Sequence, residues 1–121
     1  MKFTKSHEWI EMNNDRVGVV GITTHAQKEL GEIVFIQLPK IGAQIQAGDE
    51  VAIIESTKAA VDISSPVSGT VVEVNENVLK DPSLVNQSPQ EKGWLFKMEL
   101  SSESPLNQLI DWQKYLSLID G

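Results

Sequence analysis

Val51-Ala52-Ile53-Ile54-Glu55-Ser56-Thr57-Lys58-Ala59-Ala60-Val61-Asp62-Ile63-Ser64 is the stretch on which the fold turns. Val51 to Glu55 is apolar and β-branched, and in the second run Val61 and Ile63 alternate with Asp62 and Ser64, so both read as strands. Ser56-Thr57-Lys58-Ala59 links them, and if the two pair as a hairpin, Lys58 stands at its tip. Just before lies Gly42 to Val51, a strand, a Gly48-Asp49 turn and the start of another strand. Just after comes Ser65-Pro66-Val67-Ser68-Gly69, again a turn, and then a strand in which Val72 and Val74 face opposite to Glu73. Many short strands at this spacing predict a mainly β fold. The expected form is a flattened barrel and sandwich hybrid built from two pseudo-symmetric halves.

The flanks extend the pattern. His7 to Met12 and Arg16 to Ile22 enclose the turn formers Asn13-Asn14-Asp15 and read as a second hairpin. Thr24 with Gln27 fits a capping box and Gly31 a C-terminal cap, which predicts a short helix over 24–30. Ile33 to Leu38, ending at Pro39, reads as a buried strand. Trp94, Phe96, Met98 and Leu100 alternate with Leu95, Lys97 and Glu99 as in a half-buried strand. Asp81-Pro82 and Ser104-Pro105 each carry an N-cap followed by a first-turn proline. Leu106, Leu109 and Ile110 follow the second at helical spacing, and a last helix is expected from Trp112 to Ile119, closing one end of the sheets.

With 121 residues the chain is expected to form one domain, its core about 16–98 and a C-terminal helical segment about 104–119. Apolar runs such as Ile33 to Ile36 are too short to span a bilayer. The N-terminus has no apolar signal core and is not Arg-rich, so the cytoplasm is the expected compartment. A net charge of −7 without a basic cluster argues against nucleic acid or an anionic membrane as a partner. Cysteine is absent, so any sulfur redox chemistry must come from an attached group. The two histidines, His7 and His25, are too few for a metal centre and show no paired-ligand spacing, so no metal is expected. No nucleophile elbow, phosphate-cradling loop or distinct acid/base pair appears, and the chain does not read as an enzyme.

By residue type alone Lys58 is an ordinary solvated charge. Its setting says otherwise. The order Gly48-Asp49-x-Val51, Glu55-Ser56-Thr57-Lys58-Ala59, Pro66-Val67-Ser68-Gly69 resembles the lipoyl and biotinyl carrier modules, in which a lysine at a hairpin tip is acylated by a prosthetic group. Biotinyl modules flank that lysine with methionines; here Thr57 and Ala59 flank it. Glu55 to Ala60 is similar to the H proteins of the glycine cleavage system. So are Ser6-His7-Glu8-Trp9, Val20-Gly21-Ile22-Thr23, His25-Ala26-Gln27, Leu30 to Phe35, Leu38-Pro39, Leu84-Val85-Asn86 and Gly93 to Lys97, in the family's order.

The resemblance implies a non-catalytic carrier in glycine catabolism, with lipoate attached to Lys58. Its oxidised lipoyl arm would receive the aminomethyl group of glycine from a pyridoxal-phosphate decarboxylase (P protein). A folate-dependent aminomethyltransferase (T protein) would then take the one-carbon unit, and dihydrolipoyl dehydrogenase (L protein) would reoxidise the arm. Lipoyl-attachment enzymes are implied as further partners. The resemblance also places Ser6, Glu8, His25 and Asp62 where the family lines a cleft for the loaded arm. Read as residues alone, each has another account: Ser6 a turn residue, Glu8 an exposed strand carboxylate, His25 a surface group near a helix start, Asp62 the polar half of an alternating strand. A rival function is an H-like protein that supplies or relays lipoate; a biotinyl or other lipoyl carrier fits the flanks of Lys58 less well.

Overall fold

A computed structural model describes residues 1–14, 16–101 and 106–120. Its strands are β1 (Lys2–Phe3), β2 (Glu8–Met12), β3 (Val17–Ile22), β4 (Ile33–Gln37), β5 (Gln44–Ile45), β6 (Glu50–Ser56), β7 (Ala60–Ser64), β8 (Gly69–Val74) and β9 (Phe96–Leu100). Helices are α1 (Thr24–Leu30), α2 (Glu76–Lys80), α3 (Ser83–Gln87) and α4 (Trp112–Asp120).

The architecture is mainly β, as expected, in two antiparallel sheets. One runs β1-β2-β3-β9-β8-β5 and the other β4-β6-β7. They face each other across a core that includes Val20, Ile22, Ile54, Ile63, Val71, Phe96 and Met98, all at most 5% exposed. The barrel half of the expected hybrid is corrected: the sheets stay open. Among the described residues no strand of one sheet pairs with a strand of the other. The larger sheet ends in β1 and β5, of two residues each, and the free side of β1 bridges to Ile110 rather than to the other sheet, through Phe3 and Ile110 backbone bonds of 2.8 and 2.9 Å. Apolar packing between the two inner faces closes the core instead.

Local chemistry explains most elements. The β2–β3 hairpin pairs Glu8 with Ile22 and Met12 with Gly18, and Asn14 Oδ1 accepts from the Arg16 and Val17 amides in its turn. Gly48 supplies the left-handed backbone of the turn into β6, with φ 92°. In β9 the alternation holds, with Phe96, Met98 and Leu100 buried and Glu99 outside.

Several local expectations change. The cap of α1 is Thr23, not Thr24: Thr23 is extended and its hydroxyl accepts from the Ala26 amide at 3.2 Å, whereas Thr24 is already helical. β4 is an edge strand rather than a buried one. A bulge between Ile33 and Phe35 turns Val34 and Phe35 outward and leaves only Ile33 and Ile36 inside. A second bulge, between Val71 and Glu73, exposes Val72. Helix α2 was not foreseen; Asn75 caps it by accepting from the Asn77 amide. At Asp81-Pro82 the cap position of α3 falls on Pro82 rather than Asp81; Asp81 stands one residue earlier, its Oδ1 accepting from the Ser83 amide at 3.2 Å. Ser104-Pro105 lies outside the described residues, and Leu106–Gln108 forms a single 3-10 turn.

Candidate functional site: a lysine at a hairpin tip beside a lined cleft

β6 and β7 form the expected hairpin, with Glu55 opposite Ala60 and Lys58 exposed in the connection. The tip is tightly tied. The Ser56 amide donates to the Ala59 carbonyl at 2.8 Å, and the Ser56 hydroxyl oxygen accepts from the amides of Lys58 at 3.2 Å and Ala59 at 3.1 Å. The Thr57 amide reaches across to the Glu32 carbonyl at 3.0 Å, which anchors the tip to the loop after α1. Side-chain-to-backbone bonds of this kind hold a turn in one conformation while leaving its other side chains free. Among the described residues Lys58 Nζ makes no ion pair.

Gly31, the C-terminal cap of α1, shapes the ground beneath the lysine. Its φ is 78°, and a Cβ there would lie 3.2 Å from Lys58 Cε and 3.7 Å from Nζ. The glycine therefore satisfies both the left-handed cap and the close passage of the lysine stem. Asn86 fixes this loop, donating to the Gly31 carbonyl at 2.7 Å and accepting from the Ile33 amide at 3.0 Å. Sequence reasoning gave Gly31 as the cap of this helix, as it is, but not its place beneath the lysine, and did not single out Ser56 or Asn86. The Ser two residues before the lysine was the available signal.

Next to the hairpin opens a cleft of about 290 Å³ between α1, β7 and the turn before β2. Its floor is apolar, from Ile22, Ala26, Leu30, Val61 and Ile63, and its rim carries Ser6, His7, Glu29 and Asp62. Ala59 at the mouth is the residue after the lysine. Of the four residues expected to line one cleft, Ser6 and Asp62 do so directly.

Glu8 lies behind the rim and is corrected from an exposed carboxylate to a buried one, 2% exposed. Hydroxyls of Thr4 and Ser6 donate to its Oε1 at 2.5 and 2.7 Å, and the Ser64 amide donates to Oε2 at 3.4 Å. Its carboxylate thus ties the β2 entry turn to β7 through charge-assisted bonds. His25 faces an adjoining cavity with Thr23, Lys28 and Tyr115, and its ring lies against His7 at a centroid distance of 4.7 Å. On the other side of Asp62, a hydrogen bond shared with its carboxyl, reinforced by like-charge repulsion, holds the Glu50 carboxyl above the usual carboxylate range.

These residues fit a covalently held acyl arm. Lys58 offers a solvent-facing amine on an ordered turn, the glycine beneath leaves room for the stem, and an apolar cleft with polar rim groups lies alongside.

Comparison with known proteins is consistent over the whole length. The family model for the glycine cleavage H-protein matches residues 1–120. The chain is 50% identical over 114 residues to the glycine cleavage system H protein of Thermotoga maritima, covering 94% of this chain and 91% of that one. With the H protein of Carboxydothermus hydrogenoformans it shares 48% over 120 residues, covering 99% and 92%. A crystal structure of a glycine cleavage system H protein from Mycobacterium marinum superposes with a TM-score of 0.90 at 33% identity, covering 99% of this chain and 96% of that one.

Proposed function

The chain belongs to the glycine cleavage H-protein family, non-catalytic carriers that hold lipoate on a lysine, and we propose that Lys58 is that lysine here. The protein is a lipoyl carrier that shuttles the aminomethyl group of glycine between the components of the glycine cleavage system. Attached lipoate supplies the dithiolane sulfur chemistry that a cysteine-free chain lacks. The observation that carries the assignment is the position of Lys58: exposed, free of ion pairs among the described residues, and fixed at a tip braced by Ser56 and Glu32. Acylation there removes the ammonium charge, which lowers the cost of bringing the stem toward an apolar floor. We read residues 1–121 as one carrier domain working in the cytoplasm. Its partners on this reading are the P, T and L proteins and the lipoyl-attachment enzymes.

Lys58→Arg keeps the positive charge but removes the acylable amine. The variant is expected to fold as the wild type does, by circular dichroism and thermal midpoint, and to gain no lipoyl mass under conditions that modify the wild type. A lipoyl adduct on Lys58→Arg would move the site to another lysine.

The cleft beside the hairpin is the proposed shelter for the arm. Asp62 and Ser6 stand at the rim where an amine on the cargo would meet hydrogen-bond acceptors, and Glu8 holds Ser6 from behind. An arm docked on the apolar floor from Ile22 to Ile63 would displace water from it. Asp62→Ala and His25→Ala should leave folding and lipoylation intact and speed release of formaldehyde and ammonia from charged protein kept apart from the transferase. Each roughly 1.4 kcal/mol of lost docking changes the docked-to-free ratio tenfold. Release rates unchanged in both variants would leave these side chains with structural roles only.

A further inference from the structure

Both histidines of the chain come to one place, beside an exposed carboxylate. His25 and Glu29 sit one helical turn apart on α1, and His25 Nε2 lies 2.8 Å from Glu29 Oε1. His7 arrives from the turn before β2, its ring tilted 44° to that of His25. One ligand atom from each of His7, His25 and Glu29 falls within 4.8 Å of the other two. The local sequence shows only the spacing between His25 and Glu29; the third group comes from tertiary structure.

His7 is held for this arrangement in an unusual way. It is the only non-glycine described residue with a positive φ, 73°, a conformation that costs about 1–3 kcal/mol and persists only where the surroundings enforce it. Its carbonyl accepts from the Thr23 amide at 3.0 Å and its amide donates to the Thr4 carbonyl at 3.2 Å. Its Nδ1 lies 2.8 Å from the hydroxyl of buried Tyr115, which in turn lies 2.7 Å from the Thr23 hydroxyl. With the proton on Nδ1, His7 donates to Tyr115 and Tyr115 to Thr23, which leaves Nε2 as a lone-pair donor. An imidazole fixed through its second nitrogen in this way is the arrangement seen behind metal-bound histidines.

We propose that His7, His25 and Glu29 form a binding site for a divalent transition-metal ion at the edge of the cleft. Two imidazole nitrogens and one carboxylate oxygen suit Zn²⁺ and its neighbours Co²⁺, Ni²⁺ and Cu²⁺, not Ca²⁺ or Mg²⁺, which require oxygen-rich shells. Tetrahedral binding at about 2.0–2.1 Å brings ligand atoms roughly 3.4 Å apart. The widest pair must therefore close by little more than an ångström. Glu29 is exposed and His25 half-buried, so their side chains can make that movement while His7 stays fixed. Three protein ligands leave one position open. His7 and Glu29 both border the cleft that Ala59 and Val61 share, which gives that position solvent access beside the hairpin.

The test uses the full-length protein without lipoate, titrated with ZnCl₂ by calorimetry and with CoCl₂ by visible absorption. One ion per chain is expected, with the intense Co²⁺ bands of a four- or five-coordinate site. Both histidine ring signals should shift together in the NMR spectrum on adding Zn²⁺, since the chain has no other imidazole. Millimolar Ca²⁺ and Mg²⁺ should not compete. Glu29→Gln, His25→Gln and His7→Asn should each weaken Zn²⁺ binding tenfold or more; asparagine is chosen because it accepts the left-handed backbone. Thermal midpoints of the three variants establish that each is folded. Tyr115→Phe, which frees the His7 ring but removes no ligand, should weaken binding about tenfold, as loss of an outer partner does. A weak six-coordinate Co²⁺ spectrum, or Zn²⁺ affinity unchanged in the folded variants, overturns the site.

Discussion

At the scale of single residues, the groups around Lys58 divide into those that hold the turn and those that shape what it can reach. Glu50 stands at the far end of the hairpin, opposite Ser64, and bears on the cleft only through Asp62. Its carboxyl holds its proton more tightly in the folded chain than in the unfolded one. The stabilisation this brings is present below the ordinary carboxylate pKa and is lost as pH rises through the raised folded value. Above that value the like charge of Asp62 works against the ionised Glu50 carboxylate. Glu50→Gln should therefore melt no lower than the wild type at pH 7, and slightly higher. That advantage should shrink as the pH is lowered through the carboxylate range. Thermal unfolding of the two proteins across pH checks it, and a variant that melts lower at pH 7 would mean the shared hydrogen bond outweighs the repulsion.

Among elements, the β6–β7 hairpin presents the lysine and α1 with its glycine cap builds the ground it passes over. Ser56 is the link that sequence reading passed by, because a serine in a turn is commonplace until its partners are known. Its hydroxyl oxygen gathers the two amides at the tip. Ser56→Ala should cost about 1 kcal/mol, the net worth of a typical intramolecular hydrogen bond, seen as a lower denaturant midpoint. It should also speed hydrogen exchange at Lys58 and Ala59 and slow enzymatic lipoylation, with Thr57 still anchored to Glu32. Unchanged exchange at those amides would show that the backbone pairing alone fixes the tip. The bulge in β4 had no sequence signature either. It leaves Val34 and Phe35 on the surface of an edge strand, 53% and 49% exposed, where a run of β-branched and aromatic residues had implied burial.

Over the whole molecule, α4 closes the open end of the larger sheet as the C-terminal pattern implied. The contact is specific. Tyr115 stacks on Phe3 at 4.8 Å, beside buried Trp9, while its hydroxyl joins Thr23 and His7. Tyr115→Ala should cost about 3–5 kcal/mol by leaving a cavity in this second core. Tyr115→Phe should cost about 1–2 kcal/mol, by stranding the two partners of the hydroxyl. Burial raises the Tyr115 pKa, so the stability tied to its neutral phenol holds below the ordinary tyrosine value and is lost as pH rises through the raised one. The alkaline fall in melting temperature should accordingly be shallower in Tyr115→Phe than in the wild type, which a pH series measures directly.

By itself the sequence determined the mainly β class, the hairpin with Lys58 at its tip, the helix near 24–30 and the terminal helix. All of these rest on period-two or period-3.6 patterns, turn formers and caps, which act between near neighbours and so are written locally. Its resemblance to a carrier family carried the chemistry, since the order of the motifs is also a property of the chain. Only the tertiary structure decided that the sheets stay open, that Glu8 is buried, and that His7 meets His25 and Glu29 while Ser6 and Asp62 meet across the cleft. Those facts depend on contacts between segments distant in sequence, β3 against β9 and the Glu8 carboxylate against the Ser64 amide of β7, and on bulges whose cause is packing. A carboxylate in an alternating strand carries no mark of which face it will occupy until the partner that supplies its hydrogen bonds has been folded against it.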